Sequence, residues 1–224
     1  MPRPLLRVRS AAVSGRLLEL TARDREIIST LTARVRVLTT EQVGRTWWPS
    51  ASNPESGARR RLRALSDARL VSVQTLLAHP EIDLVAPVAI WHRGLPEPDF
   101  AALARSLAKR WTEPERATPC VAATQQAVAQ FGGSGGRLPR DSEATHDIHL
   151  AAVHLRMVQE LPTRAASWTP EAALRKGQGI KIPDAIVRDG KYRTAIEFGG
   201  SYSAEKLAGF HHYCEGKELG YELW

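Results

Sequence analysis

The sequence predicts a mixed α+β (α/β) chain of two modest domains, and three observations point there. Apolar residues recur at helical spacing between Leu20 and Leu65. Two β-branched runs flank an Asp-Gly pair after Ile182. The 224 residues also suffice for two units that each bury a core. Cys120 and Cys214 are the two cysteines, and Met1 to Leu6 is too soon interrupted for an export signal, so a reducing cytoplasm without disulfides is expected. No window approaches the eighteen or so consecutive apolar residues of a membrane span.

Charge is divided unevenly. The formal net charge is +7 and the isoelectric point about 9.8. Residues 1–110 hold 18 Lys and Arg against 10 Asp and Glu, whereas residues 111–224 hold 13 against 14. A basic excess confined to one half predicts a polyanionic partner, most commonly nucleic acid. A basic membrane-binding helix is the rival reading, and it suits the arginines less well because they fall within a helix-turn-helix pattern. Residues 1–19 read as a mobile basic arm.

That pattern gives a first domain over residues 20–94. Thr21-Ala22-Arg23-Asp24 offers a helix N-cap, followed by Ile27, Ile28, Leu31 and Val35 at helical spacing. Leu38 to Val43 reads as a turn and a Thr-capped second helix ending near Trp47-Trp48-Pro49, the tryptophans being packing residues. A third helix is expected from Glu55 to Ala68 with Ala58, Leu62 and Leu65 inward and Arg59, Arg60 and Arg63 outward. Leu70–Leu76 and Leu84–Trp91 would then pair as the hairpin of a winged helix-turn-helix domain. In that fold the third helix enters the major groove of double-stranded DNA, where arginines contact phosphates or guanine edges. Arg59, Arg60 and Arg63 are the candidate DNA contacts, with Arg45 on the second helix. A solvated helix face is the alternative for the run.

Leu95-Pro96-Glu97-Pro98 starts a linker, and Asp99 caps a helix from Phe100 to about Arg110, giving a linker element over 95–111. Within 112–130, Val121, Ala122 and Val128 suit a strand and a helix. Gly132-Gly133-Ser134-Gly135-Gly136 reads as a flexible loop, without the Lys-Ser or Lys-Thr of a phosphate-cradling loop. Glu143 to Glu160 is a helix with Ile148, Ala152, Leu155 and Val158 on its apolar side. Its His146 and His149, three residues apart, raise zinc as an alternative ligand, although no cysteine pair or His-Glu-x-x-His motif accompanies them.

Two candidate acids follow. Ile182–Val187 and Thr194–Phe198 are strand-like runs around the Asp189-Gly190 turn, which places Asp184 and Glu197 side by side on neighbouring strands. Paired carboxylates are the hard oxygen ligands that Mg²⁺ prefers, and phosphate oxygens complete its octahedron. Solvated hairpin charges are the other reading of the pair.

Pro183-Asp184 at one strand and Glu197-Phe198-Gly199 at the next resemble the PD-(D/E)XK nuclease-like fold. There a Pro-Asp begins the second core strand and a Glu-x-Lys ends the third. The resemblance implies a small mixed-sheet domain over 112–224 and a metal site of Asp184 and Glu197, joined by Asp147, and after it Glu143, from the preceding helix. Gly199 stands where that fold has its lysine, so Lys206, in the helix-like stretch Ala204–Glu215, is the candidate substitute. Gly220 to Trp224 reads as a final strand lacking the helix that usually follows. Such a strand at a sheet edge predicts a homodimer, for which the linker helix is the second candidate surface.

Taken in order, Arg59-Arg60-Arg61-Leu62-Arg63, His146-Asp147-Ile148-His149-Leu150, Pro183-Asp184-Ala185 and Ile196-Glu197-Phe198-Gly199-Gly200-Ser201-Tyr202 resemble the replication-relaxation family of bacterial mobile elements. Where that family carries Glu-x-Asp and then Arg-Gly-Thr, this chain has Glu197-Phe198-Gly199 and Gly200-Ser201-Tyr202. The resemblance spans about residues 20–224 and implies a DNA-binding protein acting in plasmid replication or DNA relaxation. The alternative is an active Mg²⁺-dependent DNA endonuclease, with Asp184, Glu197 and Lys206 as its catalytic residues.

Overall fold

A computed structural model describes residues 18–174 and 182–224; the basic arm expected over residues 1–19 lies almost wholly outside them. The described residues form eight α-helices and two sheets, a mixed α+β architecture as the sequence predicts. They divide into two compact units, the described residues of Met1–Leu76 with Ala117–Arg140 and those of Leu77–Arg116 with Asp141–Trp224.

The first unit is built on three helices. Helix α1 (Ala22–Ala33) starts at a capping box in which the Thr21 hydroxyl accepts from the Asp24 N–H and the Asp24 carboxylate accepts from the Thr21 N–H. The same device, with Thr39 and Gln42, starts α2 (Thr40–Trp47) directly after the short strand β1 (Leu38–Thr39). Asn53 caps α3 (Pro54–Asp67), with Pro54 in its first turn. Helices α2 and α3 meet at Gly44, where a Cβ would lie 3.0 Å from the Glu55 nitrogen, so a larger residue would have to push the α3 backbone away. Ile27, Ile28, Leu31, Val43, Ala58, Leu62 and Leu65 are fully or almost fully buried, as their spacing predicts.

The strand pairing corrects the expected hairpin. Strand β2 (Val71–Ala78) lies beside β4 (Arg116–Ala123), and β1 completes the sheet in the order β1-β4-β2. Leu38 pairs with Val121 and Thr39 with Cys120. The residues expected to return against β2 instead contribute β3 (Ala89–Trp91) to the other sheet. Residues 77–94, expected in the first domain, thus belong to the second unit, and residues 117–140 to the first. Helix α5 (Gln125–Phe131) follows β4. The glycine-rich stretch after it does more than link. Ser134 and Gly135 donate their N–H groups to the Thr32 carbonyl at 2.8 and 2.9 Å, satisfying an acceptor in the last turn of α1. A Cβ at Gly133 would lie 2.1 Å from that oxygen, which is why the close approach needs glycine.

The second unit holds a five-stranded sheet in the order β3-β8-β7-β6-β5. Helices α6 (Asp141–Glu160) and α7 (Pro162–Ala166) lead into β5 (Thr169–Pro170). Strands β6 (Ala185–Asp189) and β7 (Tyr192–Glu197) form an antiparallel hairpin joined by Gly190 and Lys191, with Gly190 at φ +58°. Helix α8 (Ala204–Gly216) then crosses to β8 (Gly220–Leu223), which runs parallel to β7. Trp168, Val187, Ile196, Phe198 and Trp224 pack with Val153 and Met157 of α6 into an apolar cluster. Val158, expected on the apolar side of α6, is instead 39 % exposed.

Strand β8 is not the expected open edge. It lies between β7 and β3, with Tyr221 opposite Trp91 and Ala195. The linker helix α4 (Phe100–Ala108) packs on α8 and turns Leu107 into a cluster with Leu207 and Leu223. Both surfaces expected to serve a homodimer are therefore engaged within the unit. Among the described residues no helix is long and apolar enough to cross a membrane.

Candidate functional site

Two groups of charged residues stand out, one in each unit. In the first unit the five-residue run on α3 separates into three kinds of arginine. Arg61 turns inward, its guanidinium forking onto the buried Asp24 carboxylate at 2.7 and 2.5 Å and also donating to the Glu19 carbonyl. Burial alone would raise the Asp24 carboxyl; hydrogen bonds from Arg61 and Thr21, with the Arg61 charge, outweigh it and hold the group below its usual range. Arg59 is exposed and paired with Glu55 one turn earlier at 2.6 Å. Arg60 and Arg63 are exposed, and no carboxylate partners them among the described residues. Arg45 is exposed at the end of α2.

The structural division also sharpens the charge asymmetry. Met1–Leu76 with Ala117–Arg140 carries 16 Lys and Arg against 6 Asp and Glu, whereas the other unit carries 15 against 18. The basic excess thus belongs to the unit that holds α3.

In the second unit, Asp184 just precedes β6 and Glu197 ends β7. The pairing of Ala185 with Ile196 puts them at the next opposed step of the ladder. Each clasps the other strand: the Asp184 N–H donates to Glu197 Oε2 at 3.3 Å, and the Phe198 N–H donates to Asp184 Oδ2 at 2.8 Å. Helix α6 brings His146 and Asp147 to the same place. His146 Nε2 is 3.0 Å from Asp184 Oδ2 and its Nδ1 is 3.3 Å from Asp147 Oδ1. Bonding two carboxylates requires both ring nitrogens to carry protons. Burial alone would push this imidazole down; the Asp184 charge and the bonds from both acids outweigh it and carry its pKa up to about 10.

Tyr202 completes the cluster, donating its hydroxyl to Glu197 Oε1 at 2.6 Å. Burial, then the charges of Glu197 and Asp184, hold that phenol well above its usual pKa, so the tyrosine keeps its proton. Lys206 lies over this ring, its Nζ 3.5 Å from the Tyr202 centroid. The place of the missing motif lysine is tight: a Cβ at Gly199 would lie 2.9 Å from Leu107 Cδ1 and 3.0 Å from Leu223 Cδ1, so these leucine ends would have to shift. Arg110 stands nearby, bonding the Gly199 and Trp224 carbonyls across the Phe198 ring.

The structure therefore brings together Asp184, Glu197 and Asp147 and places Lys206 over the Tyr202 ring. Sequence reasoning missed His146 as the bridge between acids and Tyr202 as the donor to Glu197. Their signals were the His-Asp step on one helix and the tyrosine five residues after the acid. The zinc alternative fails on His149. Its Nδ1 donates to the Thr145 carbonyl at 2.6 Å and its Nε2 accepts from the Ile82 N–H at 3.1 Å, so both nitrogens are committed. Burial pushes this second imidazole down to about 4, and it stays neutral.

As arranged, three carboxylate oxygens of the cluster are turned to protein donors. Mg²⁺ requires carboxylate oxygens open to it and room for water. Here Asp184 Oδ2 and both Glu197 oxygens accept protein donors, and the cation seated between Asp147 and Asp184 is an imidazolium. Among the described residues no three His, Cys, Asp or Glu side chains are disposed to hold a metal. No protein-family model, curated protein or solved structure matches the chain.

Proposed function

We propose that the protein is a double-stranded DNA-binding factor, acting in replication or relaxation of a plasmid or mobile element, whose second unit is a nuclease-like scaffold. The carrying observation is the pair Arg60 and Arg63, exposed on α3 without a carboxylate partner among the described residues, in a unit holding 16 basic residues against 6 acidic. Cations left without a counter-charge suit the phosphate backbone, whose contacts supply most non-specific affinity. The local order supports a winged helix. Three capped helices are followed by β2, and β4 joins β1 and β2 in one sheet, with the expected hairpin opened by residues 79–115. For the second unit, Asp184 precedes the second of four successive strands and Glu197 ends the third, as in the PD-(D/E)XK arrangement.

Fluorescence anisotropy with a labelled duplex tests this reading. The wild-type chain is expected to bind, with a steep salt dependence, and Arg60→Ala/Arg63→Ala to bind about a hundredfold more weakly with a flatter slope. Equal binding by the variant removes α3 from the interface. A second reading, a metal-dependent endonuclease, draws on the convergence of Asp184 and Glu197 and requires His146 to yield its position. Mg²⁺- or Mn²⁺-dependent nicking of supercoiled plasmid, lost in Glu197→Ala, would establish it.

A further inference from the structure

Beside the arginine face of α3 lies a groove of about 370 Å³, lined by Thr21, Arg23, Trp48, Gly57 and Arg60, with Asp24 and Arg61 also at its wall. We propose that this groove seats a backbone phosphate of the bound duplex, with Arg23 and Arg60 as its cations and Trp48 as the surface that orients Arg23. The proposal rests on the DNA-binding reading above and extends it to residues outside α3.

The groove is positive by construction. Its one acid, Asp24, is neutralised by the fork of Arg61 and also accepts from the Thr21 hydroxyl at 2.7 Å. Arg23 and Arg60 are both exposed and have no carboxylate among the described residues, so they supply the net charge. The Arg23 guanidinium lies over the Trp48 ring at 4.4 Å from the centroid. Stacking of this kind fixes the plane of the guanidinium and leaves its N–H edge directed sideways to an acceptor, the geometry that arginine brings to phosphate.

The indole is in turn set by α3. A Cβ at Gly57 would lie 3.0 Å from Trp48 Cδ1, so the ring sits directly on the helix backbone. Gly57, Arg60, Arg61 and Ala64 recur at three- and four-residue steps and form one stripe of the helix. Arg63 stands on the neighbouring stripe, so a strand followed by Arg60 and Arg63 passes the mouth of the groove. Continuity with that face is what selects a duplex phosphodiester over a free anion.

The test is duplex binding by anisotropy across a salt series for wild type, Arg23→Gln and Arg23→Lys, with thermal midpoints alongside. Arg23→Gln is expected to weaken binding about tenfold and lower the log–log salt slope by about 1, with the midpoint unchanged. Arg23→Lys, which keeps the charge, should recover the slope but not the whole affinity. Wild-type affinity and slope in Arg23→Gln, while Arg60→Ala/Arg63→Ala binds weakly, would overturn the groove and leave the α3 reading standing. Absence of duplex binding by the wild-type chain would overturn both. If inorganic phosphate raises the midpoint of wild type but not of Arg23→Gln, and both bind duplex alike, the groove takes the free anion and the phosphodiester assignment falls.

Discussion

Arg60 and Arg63 stand on the solvent side of α3 with no carboxylate partner among the described residues, whereas Asp184, Glu197 and Asp147 are turned inward and held by donors of their own unit. Both groups are charged clusters. They differ in where the counter-charge comes from. A cation without a partner has its electrostatic interaction still to make, and on the proposed reading the duplex supplies it. Asp184, bonded to His146 and the Phe198 N–H, and Glu197, bonded to the Tyr202 hydroxyl and the Asp184 N–H, make these interactions within the fold. The difference separates the surface proposed for recognition from a cluster that holds a helix to a hairpin.

Arg61 breaks the comparison most sharply, because it lies in the same run as Arg60 and behaves like the acids of the other unit. Arg61→Ala leaves the buried Asp24 carboxylate without its cation and should destabilise the first unit by about 3–5 kcal/mol in urea unfolding. The sign of its pH dependence follows from the depressed Asp24 carboxyl. The stabilisation is present above the ordinary carboxylate value of about 4 and is lost as pH falls through the lower folded value. An Asp24→Asn variant should be less stable at neutral pH and lose less on acidification than wild type.

The acid cluster comes next. Glu197→Ala strands the Tyr202 hydroxyl and the Asp184 N–H, and a loss of about 3 kcal/mol is expected, with Glu197→Gln losing less. Because protein donors hold these oxygens, adding Mg²⁺ or removing it with a chelator should leave the thermal midpoint where it is. A rise of several degrees with Mg²⁺, absent in Glu197→Ala, would show a metal site after all. Gly199→Ala sharpens the same point, its methyl meeting Leu107 and Leu223 at a cost of about 1 kcal/mol. The smallest effect belongs to Arg59→Ala. Its exposed pair with Glu55 contributes at most about 0.5 kcal/mol, so any change it makes should appear in DNA affinity and not in stability.

Local signals carried much of this structure in the sequence. Thr21 and Thr39 announced the starts of α1 and α2, Asp189-Gly190 announced the hairpin, and the spacing of Ala58, Leu62 and Leu65 told which arginines of α3 face outward. Long-range choices were not legible. Leu84–Trp91 and Arg116–Ala123 both offer an apolar run after β2, and nothing local says that the distant one is its neighbour. Asp24 and Arg61 are 37 residues apart, so their pair emerges only when α1 meets α3. In the acid cluster, register made Asp184 and Glu197 adjacent, but His146 reaches Asp184 across 38 residues of chain. The missing lysine was visible as Gly199, while the close packing of Leu107 and Leu223 on that position was not.

Duplex binding measured by anisotropy in EDTA and in Mg²⁺, for wild type and Arg60→Ala/Arg63→Ala, tests the central claim most directly. The expected result is equal wild-type affinity in both buffers and about a hundredfold loss in the variant. Binding that requires Mg²⁺, or that survives the double substitution unchanged, would contradict it.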